Sequence, residues 1–390
     1  MDLSFTAAEA AFAAEVREWL AANAEPAPRF ATIADEVEYG RRWQARMAAD
    51  RWVGIHWPRE FGGRGATPVE VALFNMEYAR SRALQPINRV GINLAGPTLL
   101  VHGTEAQKAR WLPTILTAEE IWCQLFSEPD AGSDLASLQT RAEKVDGGWR
   151  LTGQKVWTSY AQFARWGICL ARTNSEAPKH RGLSYLIVDM QAPGIEVRPL
   201  VQITGDAEFN EVFFADARVQ DSWRLGREGD GWKVAITTLM NERVSLSGAG
   251  SIGGEAVGGS PVQKLIDRHR GTEDRLVRQA LAQAYIESTL IRINNQRAAA
   301  KRKSGSEAGP EGSITKLQQA EFNQRLQNLA IDLEGASAIA WEGRNLSRIE
   351  RVGRVGAAAD TASAVASGFL RAQANTIEGG TSDIMRNILG

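Results

Sequence analysis

The chain has 390 residues, enough for two or three packed units, and 23% of them are charged for a formal net charge of −1. That balance excludes bulk attraction to nucleic acid or to an anionic membrane surface. Two cysteines, Cys123 and Cys169, do not make a disulfide framework and fit a reducing cytoplasm, and four scattered histidines form no metal-ligand spacing.

At the N-terminus, Glu9, Glu15 and Arg17 break up any apolar run, so no targeting signal is expected in this segment. Thr6 with Glu9 reads as a capping box, and Phe12, Val16 and Leu20 make a helical stripe. No run nears the roughly 18 apolar residues of a spanning helix. A soluble, cytoplasmic protein is expected. "VALFNMEYARSRALQ" and "AGPTLLVHGTEAQKARWLPTIL" continue in helical periodicity, around the loop "HWPREFGGRGATP".

Near residue 120 the texture changes. "GGWRLTGQKVWTSY", "WGICLART", "LSYLIVDM", "IEVRPLV" and "EVFFADARV" are short runs of β-branched and aromatic residues between turn formers. After Gly231 helix returns, with an apolar face expected from Trp232, Ile236, Leu239 and Met240. Long helical stretches follow, with loops expected at 248–260 and 303–312. The order predicts three units: helical 1–120, β 121–226 and helical 227–390.

Two segments carry chemistry. In "WCQLFSEPDAGSDLASLQTRA" (122–142), Pro129 and Gly132 make a turn, and Ser127, Ser133 and Asp134 bring polar groups to it beside Trp122, Leu125 and Phe126. An apolar wall next to such a turn suits a flat cofactor with a phosphate tail, but it also describes an ordinary strand-to-loop corner. In "TIEGGTSDIMRN" (376–387), Glu378 precedes two glycines and Thr381-Ser382 begins a last helix. A lone acid there invites a reading as a catalytic base. "GAGSIG" (248–253) formally matches a nucleotide fingerprint but follows a helix rather than a strand, and reads as a loop.

The 122–142 stretch resembles the flavin-binding signature of the acyl-CoA dehydrogenase family. The resemblance spans the chain, through "WPREFGGRG", "HGTEAQKARWLPTI", "GQKVWTS", "FNEVFFADARV", "LGREGDGW" and "IEGGTSDIMRN". It implies an α+β fold: an N-terminal all-α domain, a middle β-barrel-like domain and a C-terminal four-helix bundle. It implies FAD, with Gln124, Phe126 and Ser127 on the isoalloxazine, Ser133 at the pyrophosphate and near substrate, Trp157 over one face and Ser159 at the flavin edge. Gly380, Thr381 and Asp383 would contact FAD from the C-terminal loop, and Arg302 would reach its pyrophosphate across a subunit interface. For Trp157, simple core packing is the alternative. "KRKSGSEAGPEGSITK" lacks the family's Phe-Gly, and "RIERVGRVGAAAD" is the nearest stretch to its adenine segment.

The implied reaction is α,β-dehydrogenation of an acyl-CoA thioester by a desolvated carboxylate and the flavin. One branch of the family places the base just before Gly-Thr, which here is Gly379. Another takes it from a Glu-Arg pair on the first C-terminal helix, matched by Glu242-Arg243 in "GWKVAITTLMNERVSLSG". Glu242 is therefore the expected base and Glu378 the alternative, with Arg243 orienting Glu242 or facing CoA. A solvated Glu242 in a local ion pair is what helix chemistry alone would suggest. The implied partners are acyl-CoA and an electron-transfer flavoprotein, in a homodimer, homotetramer or heteromer. A flavin oxidase or monooxygenase, and a non-catalytic partner subunit, are the competing readings.

Overall fold

A computed structural model describes residues 5–28, 30, 32–246, 261–303, 310–340 and 362–390. The first third is helical: α1 (Ala7–Asn23), α2 (Ile33–Ala49), α3 (Pro68–Ser81), α4 (Gly96–His102) and α5 (Glu105–Thr117). Four of these starts are written locally as capping boxes, Thr6 with Glu9, Thr32 with Asp35, Thr67 with Glu70 and Thr104 with Gln107. A π-helical turn, Gly91–Ala95, runs directly into α4. At that junction a Cβ on Gly96 would stand 2.0 Å from the Trp57 ring, so only glycine lets the indole pack there.

The middle of the chain forms eight strands: β1 (Trp122–Leu125), β2 (Arg141–Val145), β3 (Gly148–Ser159), β4 (Trp166–Arg172), β5 (Leu183–Asp189), β6 (Ile195–Leu200), β7 (Phe209–Gln220) and β8 (Arg224–Leu225). Their order is β6-β7-β3-β2-β4-β5-β8, with β1 added in parallel to β4. β4 and β5 are buried on both faces, which is why they read as continuous apolar runs. One face, with Ile168, Leu170, Tyr185 and Ile187, packs into the core of the N-terminal helices and of the helix that follows the sheet. The other, with Cys169, Leu186 and Val188, meets Trp149, Val212 and Phe214 from the opposite half of the same sheet, which curls around its own core.

Helix resumes as α6 (Gly231–Leu246), α7 (Pro261–Arg268), α8 (Arg275–Lys303), α9 (Glu311–Glu334), α10 (Ala362–Ala372) and α11 (Ser382–Leu389). α9 is the hub of this part, packing against α6, α8, α10 and α11. The mixed α+β architecture is the one the sequence predicts. The expected face of α6 is corrected. Its buried stripe is Gly231, Val234, Ala235 and Thr238, whereas Ile236 and Met240 are exposed. α6 approaches β5 so closely that a Cβ on Gly231 would lie 2.5 Å from the Ser184 backbone, and small residues must face the sheet. Glu242 continues that stripe at the next turn and is half-buried. Among the described residues, no helix is long and apolar enough to cross a membrane.

Candidate active site

β1 delivers Gln124, Phe126 and Ser127 to the junction of sheet and C-terminal helices. Phe126 is buried, edge-on to Tyr185 with ring centroids 5.8 Å apart. The turn after it is held by a pair that sequence reasoning missed. Lys155 Nζ donates to Glu128 Oε1 at 2.8 Å, to Phe126 O at 3.0 Å and to Leu170 O at 2.8 Å, with no solvent exposure. Glu128 also accepts from the backbone N–H groups of Gln139 and Thr140. Burial pushes the Glu128 carboxyl up, but the Lys155 charge and these hydrogen bonds outweigh it, and the group sits below the usual carboxylate range. The signal was in the strand parity: Trp149, Leu151 and Lys155 lie on one buried face of β3, and a lysine there demands a carboxylate.

Trp157 is not a core residue. Its φ is +60°, beside a register shift between Lys155 and Thr158, and 60% of it is exposed. Its ring meets Phe209 edge-on, with centroids 5.9 Å apart. The neighbouring Thr158 is the one that turns inward; it is fully buried, and its hydroxyl has no partner among the described residues. Ser127 and Ser159 are half-buried, while Ser133 sits on an exposed tip whose neighbour Asp134 pairs with Lys179.

The two candidate bases stand in different surroundings. Gln124 Nε2 donates to Glu242 Oε2 at 3.1 Å, tying the signature strand to α6. Glu378 is gripped by its neighbours in sequence: Arg371, in the last turn of α10, binds both of its oxygens, at 2.8 and 3.2 Å, and Asn375 Nδ2 donates at 2.6 Å. Lys316 of α9 lies in the field of both acids and donates to Asn375 O at 2.7 Å. Its burial lowers its pKa, against the opposing pull of Glu378 and Glu242. The Arg371 guanidinium also feels Glu208 and Asp206, next to Phe209 and so to Trp157.

Gly379 and Gly380 both have positive φ, +64° and +98°. The +98° of Gly380 is a backbone conformation that side chains strain to adopt, so the turn calls for glycine whether or not Met385, whose Cε would lie 2.6 Å from an added Cβ, moves aside. Thr381 caps α11 by accepting from Ile384 N at 3.1 Å. Asp383 is exposed beside Arg386. Thr381, Ser382 and Asp383 share an open cleft of about 490 Å³ with Glu321, Gln324 and Arg325 of α9. The side chains of Arg243 and Arg302, and the stretches 248–253 and 348–360, lie outside the described residues.

This donor set fits a flavin. An exposed aromatic plane, a side-chain amide, the hydroxyls of Ser127, Ser159 and Thr381, and a backbone free of side chains at Gly379-Gly380 are what a flat, polar-edged group with a phosphate tail requires.

Comparison with known proteins agrees. The chain matches three family descriptions in order: acyl-CoA dehydrogenase, N-terminal domain (residues 6–119), middle domain (123–217) and C-terminal domain (229–390). It is 38% identical over 391 residues to acyl-CoA dehydrogenase IpdE1 of Mycobacterium tuberculosis, covering 97% of this chain and 95% of that one. Among solved structures, the Tcur3481-Tcur3483 steroid ACAD superposes with a TM-score of 0.79 at 28% identity, over 100% of this chain and 97% of that one. The ChsE4-ChsE5 complex from Mycobacterium tuberculosis gives 0.79 at 26% identity, over 100% and 98%. A family-wide match from residue 6 to residue 390, on a fold whose junction fits a flavin, leaves one conclusion: the chain belongs to the acyl-CoA dehydrogenase family, FAD-binding oxidoreductases that act on acyl-CoA.

Proposed function

We propose that the protein dehydrogenates an acyl-CoA thioester between Cα and Cβ, with Glu242 as the base, and gives the 2-enoyl-CoA. The observation that carries this is the Gln124–Glu242 hydrogen bond of 3.1 Å, which holds a half-buried carboxylate against the flavin-signature strand. Gln124 orients that carboxylate, so Glu242 takes the α-proton from a fixed position. FAD, when bound, would supply the acceptor for the hydride that leaves Cβ. Gln124, Ser127, Trp157, Ser159 and Thr381 would hold its ring and ribityl end, and Asp383 its further half. The N–H groups of the Gly379-Gly380 loop are the donors offered to charge developing on the thioester oxygen. Glu378, engaged by Arg371 and Asn375, serves as the pin of that loop.

The test is anaerobic titration of the FAD-loaded protein with butyryl-, octanoyl-, palmitoyl- and steroid-acid CoA thioesters, following flavin bleaching. Glu242→Gln is expected to abolish bleaching, and Glu378→Gln to retain it. Bleaching by Glu242→Gln at the unmodified rate would remove the base assignment. A steroid acyl group is the first substrate class to try, because a similar solved structure is described as a steroid ACAD. Electrons then pass to an electron-transfer flavoprotein; rapid oxygen consumption by the substrate-reduced protein would instead mark an oxidase.

Assembly into an oligomer is part of the same reading. α8 leaves Ile286, Leu290 and Ile293 exposed at helical spacing, and two similar structures are of two-component proteins. A chain that is colourless alone but takes up FAD when co-expressed with a second subunit would establish a heteromer over a homodimer or homotetramer.

A further inference from the structure

Beneath Glu242 lies a chain of three hydroxyls, each from a different part of the fold and each fully buried: Tyr185 of β5, Thr238 of α6 and Thr98 of α4. Tyr185 Oη and Thr238 Oγ1 are 2.9 Å apart, and Thr238 Oγ1 and Thr98 Oγ1 are 2.8 Å apart. Thr98 donates to Leu94 O, inside the π-helical turn, at 2.7 Å. A hydroxyl has one proton to give. Thr98 has spent its own on Leu94, so Thr238 must donate to Thr98, and Tyr185 must donate to Thr238. The chain therefore has a single direction, from the sheet through α6 into the turn that starts α4.

The remainder of the buried stripe of α6 is Gly231, Val234 and Ala235. Contacts of such small apolar groups are non-directional and resist sliding or rotation of a helix weakly. Hydrogen bonds at fixed angles resist both. Glu242 follows Thr238 by four residues, on the same face and about 6 Å along the axis. We infer that Thr238, clamped between Tyr185 and Thr98, is a positioning residue for the dehydrogenation: it sets the rotation and axial register of α6 that bring the Glu242 carboxylate to Gln124. This rests on the proposal that Glu242 is the base. Thr238 acts through that carboxylate and touches no substrate.

The experiment compares Thr238→Val, Thr238→Ser, Tyr185→Phe and Glu242→Gln as FAD-loaded proteins. Stopped-flow bleaching uses whichever of butyryl-, octanoyl-, palmitoyl- and steroid-acid CoA reduces the unmodified protein fastest, with and without α-deuteration. Thr238→Val is expected to lower the limiting rate by about 10- to 100-fold. Its apparent Kd and FAD content should stay within about threefold, and its α-deuterium isotope effect should grow as proton transfer becomes limiting. Thr238→Ser, which keeps the hydroxyl, should recover to within about threefold of the unmodified rate. Should Thr238→Val fail to fold, Tyr185→Phe, which removes one terminal hydroxyl, reads the same loss. An unmodified rate in the folded variant, or equal slowing by the Val and Ser variants, overturns the inference. An inactive Glu242→Gln beside a fully active Thr238→Val overturns the positioning role alone; an active Glu242→Gln overturns the base and the positioning role together.

Discussion

The side-chain amide of Gln124 lies 3.1 Å from a carboxylate oxygen of Glu242, a contact between residues 118 apart in sequence. It joins the last turn of the buried stripe of α6 to the strand that carries the flavin signature. Because the acceptor is a carboxylate, the bond is of the charge-assisted kind, worth about 1.5–3 kcal/mol. Gln124→Leu is therefore expected to slow flavin bleaching by roughly 10- to 100-fold while the protein still folds. Stopped-flow reduction checks it; an unchanged rate would show that the amide does not orient the base.

The Lys155–Glu128 pair makes a prediction about stability. Removing one member of a buried pair leaves the other charge uncompensated, which costs about 3–5 kcal/mol. Lys155→Met should lower the denaturation midpoint accordingly, and adding Glu128→Gln should recover part of the loss by removing the orphaned carboxylate. The pair also holds Phe126 O, so Lys155→Met should retain less FAD in equilibrium dialysis.

Trp157 separates stability from cofactor binding. A non-glycine residue in the left-handed region costs about 1–2 kcal/mol, and this side chain buries little area. Trp157→Gly relieves that backbone strain and loses the Phe209 contact, so its stability should stay within about 1 kcal/mol of the unmodified protein. Its affinity for FAD should fall. A large drop in melting temperature would return Trp157 to a packing role.

Glu120 gives a pH dependence with a fixed sign. Burial raises its pKa, but hydrogen bonds from Arg110 and Thr114 and the Arg110 charge outweigh that, and it falls from 4.5 to about 2. A carboxylate with a depressed folded pKa contributes stability that is complete above 4.5 and lost as pH falls through about 2. Glu120→Gln should therefore be less stable than the unmodified protein at neutral pH, with the difference closing across that window. Urea midpoints at neutral pH, at 4.5 and near 2 measure it.

Much of the architecture was legible locally. Capping boxes at Thr6, Thr67 and Thr104 start helices without help from the rest of the fold. Thr381 caps α11 after the glycine turn, as its sequence predicts. The face of α6 departs from its sequence periodicity for a physical reason. Periodicity picks the largest apolar residues, Trp232, Ile236, Leu239 and Met240; Trp232 and Leu239 do pack at the edge of the core, but close packing on β5 selects the small residues and leaves Ile236 and Met240 outside. The role of Lys155 is not legible along the chain, because a lone lysine in a strand is usually a solvated one and its carboxylate lies 27 residues away.

The sequence by itself determined the helical, β, helical order, the glycine loop at 379–380 and the resemblance that implied FAD and two rival carboxylates. These follow from local backbone preference and from motif spacing, both of which are written in neighbouring residues. Only the tertiary structure separated the surroundings of the rivals. Glu378 spends its oxygens on Arg371 at the end of α10 and on Asn375, both close to it in sequence, whereas Glu242 meets Gln124 from a distant strand. Neither the rotation of α6 nor the hydroxyl chain beneath it can be read along the chain. Both are set by directional bonds between elements that sequence spacing does not bring together.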